Sequence, residues 1–464
     1  MNQDVLMPLL LEAVSQDNIL PLTSTCNADC VFCSHRQNPP GTRAYTFPPL
    51  DEALLNELLV FLDREKKIVI GESSSRLCEG EPLTHPHSFK MLEKLRALYP
   101  ETPVQLTTNG MLLNDKRIEK LQIIGGGRLS HPSAEGALLE LVVSLNCIST
   151  RYREAIMGDN NSVRTLERIK ALGNSGIVFH GSVVAMPHIT GWDELAHTLD
   201  FLDKAGARTT RVFLPGFTRL APEHLQFSKD LWERLQGFLE KTKVRLRHPV
   251  TLEPPLKKKI EVRVEGVIRG SPAWQAAIQR EDILQLIDGV PARTAAEAFF
   301  RIHKSANPLI DLQRAGAEGA YSVSCRVEKE PGEGSGVVLN RDLDPGDLKA
   351  VAREIKRNRS QTPLLLTSFL AEPLWNSALA MGLLPAQLAV AAVASGYFGG
   401  NIACTGLLTA TDFREMLKAL MRSQKAPDLI MIPLKPFDRK GFDLQGEHYR
   451  ELISSFPDLT LSLL

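Results

Sequence analysis

The chain has 464 residues, long enough for two or three domains that each bury a core of their own. Its 54 Lys and Arg residues balance 54 Asp and Glu residues, so no global field favours nucleic acid or an anionic membrane. The most apolar late stretch, residues 384–403, is interrupted by Pro385 and Gln387, which argues against a spanning helix. We therefore expect a soluble, cytoplasmic protein with no membrane or nucleic-acid partner.

In the first half, short apolar runs alternate with amphipathic segments at helical spacing. This alternation predicts an α/β fold built on a parallel sheet. The predicted strands are residues 19–23, 68–71, 104–108, 139–145, 177–185 and 209–214. The predicted helices between and after them are residues 50–64, 88–99, 114–121, 162–172 and 192–205.

The first predicted strand leads into a loop that holds three of the seven cysteines, Cys26, Cys30 and Cys33. This spacing suits one loop around one metal centre. Three thiolates can hold three corners of a 4Fe-4S cluster and leave the fourth iron open for chemistry. With His35, the same residues also form a complete ligand set for structural zinc, and ligand type does not separate the two metals. The odd cysteine count and the absence of a secretory signal disfavour a disulfide.

The pattern Cys-x3-Cys-x2-Cys, with Phe32 before the last cysteine, resembles the cluster loop of the radical S-adenosylmethionine (radical SAM) superfamily. The resemblance implies a partial (β/α)6 TIM-like barrel over residues 1–250. It also implies one 4Fe-4S cluster on Cys26, Cys30 and Cys33, with SAM bound to the open iron. An electron from a donor such as a flavodoxin or ferredoxin would then split SAM to a 5′-deoxyadenosyl radical.

Three further segments follow predicted strands, where barrels of this type carry their chemistry. Residues 78–83 (Cys-Glu-Gly-Glu-Pro-Leu) resemble the family's Gly-Gly-Glu-Pro segment, although Glu79 replaces its first glycine. Residues 106–110 and 142–146 resemble the strand ends that contact SAM. As bare strings, Gly-Glu-Pro and Asn-Gly are also ordinary turns. The resemblance places seven residues near SAM: Gly80, Glu81, Pro82, Thr108, Asn109, Ser144 and Asn146.

Beyond the predicted barrel, residues 241–259 combine lysines, arginines and prolines and are interpreted as a linker with a solvated basic patch. Residues 258–332 then resemble a bacterial PDZ domain, with Gly-Ser-Pro-Ala at 270–273, Glu-Asp-Ile-Leu at 281–284 and Ile-Asp-Gly at 287–289. The resemblance implies a β-rich module that binds a peptide along a sheet edge or serves as a scaffold.

Residues 335–464 are expected to form a C-terminal α/β domain. Their segments at 396–401 and 405–412 resemble domain of unknown function number 512, which occurs in one protein with a PDZ-like unit and a radical SAM-like barrel. Gly399 and Gly400 could let the backbone approach a ligand, or could form a βα turn.

The expected function is that of a radical SAM enzyme that abstracts hydrogen from a small molecule or, as the PDZ-like module favours, a peptide or protein. Two alternatives from other classes stay open. One is a zinc-stabilised PDZ-like interaction protein, and the other is a 4Fe-4S electron-transfer protein.

Overall fold

The structure is a computed structural model that describes residues 3–33, 36–74, 76–126, 137–422 and 427–464. Its elements form three regions in chain order: a parallel sheet with helices, a β-rich middle module and a second parallel sheet with helices. In the described part of the chain, every helix is too short or too polar to cross a membrane.

The first region is built on six parallel strands that follow one another in sequence order. Each strand is joined to the next by a crossover that contains helix, as parallel pairing requires. Thr108 on the second strand pairs with Val143 on the third, so the strand ends lie side by side. The strands are β1 (Ile68–Ile70), β2 (Val104–Thr108), β3 (Leu139–Ser144), β4 (Val178–Val184), β5 (Thr210–Phe213) and β6 (Val250–Glu253).

The helices of this region pack with the sheet around one large apolar core, and a second, smaller apolar cluster lies beside the cysteine loop. Helix packing is close enough that a Cβ on Gly173 would lie 1.7 Å from the carbonyl oxygen of Ala205. The helices are α1 (Gln3–Gln16), α2 (Glu52–Leu59), α3 (Ser88–Leu98), α4 (Asp115–Ile124), α5 (Thr150–Met157), α6 (Ser162–Asn174), α7 (Pro187–Thr190), α8 (Trp192–Ala205) and α9 (Leu231–Lys243).

Two sequence interpretations of this region were wrong. Residues 19–23 make only an isolated bridge from Ile19 to Val69, because Pro21 has no N–H and interrupts the ladder. The predicted linker contributes the end of α9 and all of β6. Its basic patch is partly buried: the Lys243 side chain is 6% exposed and pairs with Glu240 at 2.9 Å and Glu265 at 3.3 Å.

The middle module has a four-stranded antiparallel sheet in the order β11-β10-β8-β9, beside a pair formed by β12 and β7. It encloses a core of its own. The predicted β-rich character is therefore present, while the likeness to PDZ domains stays a prediction. Its elements are β7 (Val264–Val267), α10 (Pro272–Gln275), β8 (Ile283–Ile287), β9 (Val290–Pro291), α11 (Ala295–Lys304), β10 (Leu309–Gly316), β11 (Gly319–Arg326) and β12 (Val337–Leu339).

The C-terminal region has the α/β character predicted for it. Its four parallel strands lie in the order β14-β13-β15-β16, between two apolar clusters. The strands are β13 (Pro363–Ser368), β14 (Ala389–Val393), β15 (Leu429–Ile432) and β16 (Leu461–Leu463). The helices are α12 (Pro345–Asn358), α13 (Glu372–Ala380), α14 (Ala410–Met421) and α15 (Tyr449–Ser454).

Candidate functional site

The cysteine loop is fixed to the carboxyl end of α5. Asp29 N donates to Met157 O at 2.7 Å, and Val31 N donates to Ile156 O at 3.0 Å. The last carbonyls of a helix have no partner within it, so they are free to accept these bonds. Cys33 N donates to Cys30 O at 3.1 Å and closes a turn between the last two cysteines. The loop backbone is therefore held in place before any ligand is considered.

The three predicted ligands Cys26, Cys30 and Cys33 are free thiols on this loop. Burial raises the pKa of Cys26 and raises that of Cys30 to about 12, and the neighbouring cysteines add to the rise at Cys30. Metal binding would deprotonate such thiols and release their protons. His35, the fourth ligand of the zinc alternative, lies outside the described residues.

Three thiols on one anchored loop are a donor set that suits a 4Fe-4S cluster. A cluster binds each thiolate to a different iron, so its ligands need not meet at one point as they do around zinc. Three soft sulfur donors on one anchored loop match the three protein corners of such a cluster.

Gly80 brings the Gly-Glu-Pro segment against the start of the cysteine loop. Gly80 N donates to Thr23 O at 2.8 Å, and Glu81 N donates to Thr25 O at 2.9 Å. A Cβ on Gly80 would lie 2.3 Å from Thr25 O, closer than any real Cβ contact. The resemblance placed Gly80 near SAM, and the structure shows that the missing side chain makes room for the backbone next to Cys26.

Glu81 joins this segment to the end of β2. Its carboxylate is 2% exposed and accepts from Thr108 Oγ1 at 2.8 Å, Asn109 N at 2.6 Å and Leu83 N at 3.1 Å. Burial raises the pKa of Glu81, and these hydrogen bonds oppose the rise. The Glu81 side chain thus joins the Gly-Glu-Pro segment to the loop after β2 by hydrogen bonds. Pro82 begins the short 3-10 helix that follows Glu81.

Asn109 links the Glu81 carboxylate to the cysteine loop. Its Nδ2 donates to Asn27 Oδ1 at 3.0 Å and lies 3.9 Å from Cys26 Sγ, within reach of a weak N–H···S bond. Its Oδ1 accepts from Met111 N at 3.0 Å, which fixes the orientation of the amide. The cysteine loop, the Gly-Glu-Pro segment and the end of β2 therefore form one hydrogen-bonded unit.

Residues 20–202 match the family model for the radical SAM superfamily. These residues form a radical SAM domain. Members of this superfamily use a 4Fe-4S cluster and SAM. The parallel sheet extends past the matched range, because β5 and β6 continue it to Glu253.

Curated relatives resemble parts of this radical SAM domain. GTP 3′,8-cyclase from Lactiplantibacillus plantarum is 28% identical over 142 residues, which is 30% of this chain and 37% of that protein. AdoMet-dependent heme synthase from Methanosarcina barkeri is 28% identical over 218 residues, 46% of this chain and 54% of that protein. The chain thus spans 37% and 54% of these two relatives, both of which are enzymes by name.

A solved structure is also similar over half of the chain. Streptococcus suis SuiB bound to S-adenosylmethionine covers 50% of this chain and 49% of its own, with 15% identity and a TM-score of 0.37. A likeness at that score supports no functional comparison.

Glu79 explains how the radical SAM domain tolerates a carboxylate where a glycine was expected. Glu79 Oε1 accepts from Leu22 N at 3.0 Å and Thr23 N at 3.2 Å, the donors that the interrupted first strand leaves unpaired. Burial raises the pKa of Glu79 to about 8. The Glu79 side chain thus holds the backbone of residues 22 and 23, which lead into the cysteine loop.

The remaining predicted residues lie at the end of β3. Ser144 pairs in register with Ser182 and is partly exposed. Asn146 has a left-handed backbone with φ 64°, a conformation that asparagine tolerates well. Its Oδ1 accepts from Val184 N at 2.8 Å. The Asn146 side chain is thus bonded within the fold, which accounts for an amide at this position.

Sequence reasoning missed Arg153, which lies fully buried beneath the cysteine loop. Its guanidinium pairs with Asp159 at 2.8 Å and donates to Leu145 O at 2.6 Å and Cys147 O at 3.0 Å. This residue ties α5, the support of the cysteine loop, to the end of β3. A charged residue within an amphipathic helix pattern gave no signal of burial, because its partners come from tertiary contacts.

Gly399 and Gly400, predicted to approach a ligand or form a βα turn, lie among the turns between β14 and α14 and contact the barrel. Both have a left-handed backbone, with φ 63° and 61°. A Cβ on Gly400 would lie 2.1 Å from Phe217 O, and one on Gly399 would lie 2.9 Å from the Arg219 Cβ. The glycines therefore allow the C-terminal region to meet the loop after β5.

Proposed function

We propose that the chain is a radical SAM enzyme in which Cys26, Cys30 and Cys33 hold one 4Fe-4S cluster and the adjacent loops bind SAM. The hydrogen-bonded unit of cysteine loop, Gly-Glu-Pro segment and β2 end is the observation that supports this proposal. When bound and reduced, the cluster supplies the electron that splits SAM into methionine and a 5′-deoxyadenosyl radical. An electron donor of the flavodoxin or ferredoxin type would provide the reductant.

The surrounding residues prepare this site in two ways. The Asn109 amide is positioned to donate to the sulfur of Cys26, and hydrogen bonds to cluster sulfurs tune the reduction potential. Apolar side chains around Cys30, including Phe32, Met186 and Phe217, form a packed cluster. Such packing keeps water and stray hydrogen donors away from a reactive radical.

For the substrate we favour a peptide or protein that docks on the middle module, in a cavity of about 850 Å³ between this module and the barrel sheet. The cavity lies towards the amino ends of β1, β2 and β5, away from the cysteine loop, so it would hold a part of the substrate remote from the reacting atoms. One wall is polar and carries charges of both signs. The opposite wall combines apolar side chains with Ser271, His303 and Ser335. The polar wall includes Gln105, Glu140, His180 and Arg211, and the apolar wall includes Phe299, Ile302, Val337 and Leu339.

The apolar wall also offers a backbone edge. Among the described strands, β12 pairs only with β7 and leaves its other edge open beside α11. An extended peptide can add to such an edge as a strand, with its side chains against the apolar wall. Charges of both signs on the facing wall suit the mixed side chains of a peptide better than a uniformly charged ligand.

Anaerobic reconstitution with iron and sulfide tests the enzymatic proposal. We expect about four irons per chain, and after reduction and addition of SAM we expect 5′-deoxyadenosine. Colour without that product would favour an electron-transfer protein. One zinc per chain with no iron would overturn the proposal, and loss of that zinc in His35→Ala would identify the alternative ligand set.

A matched pair of phenylalanines tests the peptide proposal. Phe299 lines the cavity, whereas its neighbour Phe300 is 41% exposed and does not line it. Ten-residue peptides selected on the protein from a random phage library would be titrated by fluorescence anisotropy. We expect Phe299→Asp to weaken binding about tenfold, or about 1.4 kcal/mol, and Phe300→Asp to leave it unchanged. Failure to select any peptide, or equal effects of the two substitutions, would contradict a peptide substrate in this cavity.

A further inference from the structure

The C-terminal sheet meets the radical SAM barrel through loops that follow strands on both sides. Asn401, after β14, donates from Nδ2 to Pro215 O at 2.8 Å and accepts at Oδ1 from Phe217 N at 2.7 Å. The Tyr397 hydroxyl lies 2.9 Å from Thr42 Oγ1 in the segment that follows the cysteine loop. The carboxyl-end loops of the two parallel sheets are therefore in direct contact.

Arg76 makes a buried contact between the barrel and the C-terminal region. It lies in the loop after β1, two residues before Cys78, and is 6% exposed. Its Nη2 donates to Phe442 O at 2.9 Å and Asp443 O at 2.6 Å, and pairs with Asp438 Oδ2 at 2.9 Å. Two carbonyls and a carboxylate thus surround one guanidinium from the barrel.

The loop that receives Arg76 is shaped before the contact is made. Asp438 Oδ1 accepts from Lys440 N at 3.0 Å and Phe442 N at 2.9 Å. Asp443 is fully buried and accepts from Glu447 N at 2.9 Å and, at the start of α14, from Ala410 N at 2.8 Å. These internal bonds fix the carbonyls of residues 442 and 443 in the direction of the guanidinium.

A continuous set of backbone bonds leads from Arg76 to the cysteine loop. Tyr45 N donates to Arg76 O at 2.7 Å, and Cys78 N donates to Tyr45 O at 2.9 Å. Beyond Glu79, the backbone N–H groups of Gly80 and Glu81 donate to the carbonyls of residues 23 and 25, within three residues of Cys26. Each link is a short hydrogen bond between neighbouring segments, so displacement of Arg76 would be passed to the loops at the cofactor site.

We infer that Arg76 is a positioning residue through which the C-terminal domain holds the Gly-Glu-Pro segment and the cysteine loop in the geometry that binds SAM. The inference rests on the proposed function for its cofactor. It gives the C-terminal domain a role in the barrel site: docking of residues 438–446 completes the SAM site. Arg76 would therefore act through the loops that it holds, and not by touching SAM or the cysteines.

Hydrogen exchange of the full chain without cluster or SAM provides the first test. We expect Arg76→Ala to speed amide exchange at residues 22–26 and 78–81, and to leave β10 and β11 unchanged. Asp438→Asn should give a smaller effect in the same segments, because the turn keeps an oxygen acceptor while the ion pair loses its charge. The control is Arg245→Ala, which removes a partly exposed pair with Asp200 far along the chain. Uniform exchange changes, or none at these loops, would overturn the inference.

SAM binding to the reconstituted protein provides the second test. We expect Arg76→Ala to retain the iron content of the wild type and to bind SAM about tenfold more weakly by calorimetry. Wild-type affinity in Arg76→Ala, with normal iron, would overturn the positioning role and leave the proposed function intact. A wild-type protein that takes up iron and does not bind SAM would instead refute the proposed function, and the exchange experiment would still test the contact itself.

Discussion

The barrel sheet and the C-terminal sheet are both parallel, yet their carboxyl-end loops carry different chemistry. The barrel loops bring together thiols, the buried carboxylate of Glu81 and the amide of Asn109. The C-terminal loops instead present glycines, backbone carbonyls and Asn401 to the barrel. The comparison shows that parallel topology creates a position for a site, and that the side chains at that position decide which groups it can bind.

The largest difference between the two edges should be in metal binding. Cys30→Ser removes one of the three proposed cluster ligands, and we expect iron content after reconstitution to fall close to zero. Cys404→Ser, in a loop of the C-terminal sheet, should retain wild-type iron. Iron and sulfide assays with the visible absorption spectrum would measure both variants. Equal iron in wild type and Cys30→Ser would remove the distinction between the edges.

At the barrel edge, a substitution that separates the Gly-Glu-Pro segment from the cysteine loop should lower stability markedly. Gly80→Ala places a Cβ 2.3 Å from Thr25 O, and we expect the free energy of unfolding to fall by about 2–4 kcal/mol. Gly406→Ala is the control at the other edge, since its Cβ would meet its nearest atom at 3.9 Å. Urea unfolding followed by circular dichroism would compare the two. A wild-type midpoint for Gly80→Ala would show that the segment does not approach the cysteine loop so closely.

Glu79 should make the barrel edge sensitive to pH. Burial raises its pKa to about 8 in the folded state, above the unfolded value near 4.5. The folded protein then binds more protons between these values, so the free energy of unfolding should fall as pH rises from about 4.5 to about 8. Glu79→Gln keeps an oxygen acceptor for Leu22 N and Thr23 N and removes the titration.

The measurement is urea unfolding of the apo protein at pH 5.5 and pH 8. We expect wild type to lose stability relative to Glu79→Gln over this interval by on the order of 2 kcal/mol. Parallel pH profiles for the two proteins would show that Glu79 does not titrate in this range. The difference between the two profiles cancels the contribution of every other titrating group that they share.

The smallest loss of stability should come from a substitution in the loops of the C-terminal sheet. Asn401→Ala removes two hydrogen bonds to the loop after β5, and we expect it to cost about 1–2 kcal/mol of stability. Asn358→Ala, whose amide donates to Glu354 O at 2.9 Å, should cost less because that bond joins residues of the same helix, α12. Thermal melts would rank the two. Equal losses would mean that Asn401 contributes no more to the contact than a surface amide.

Local patterns in the sequence identified much of the architecture. Apolar runs at β1–β5 and the helical spacing after them indicated the parallel sheet, because alternating strands and helices leave a visible signature. Residues 19–23 had the same signature and failed to form a strand, since Pro21 removes a donor that pairing needs. Strand β6 was missed because prolines and basic residues flank it. The burial of Lys243 was missed because its partner Glu265 comes from β7.

The sequence by itself determined the identity and spacing of the thiols, the Gly-Glu-Pro string and the alternation of strands and helices. Only the tertiary structure showed that Gly80 admits the cysteine-loop backbone, that Glu79 replaces lost strand pairing and that Arg76 is held by the C-terminal domain. The physical reason is that these contacts join segments far apart in the chain. Their energies depend on distance and burial, which residue order does not encode locally.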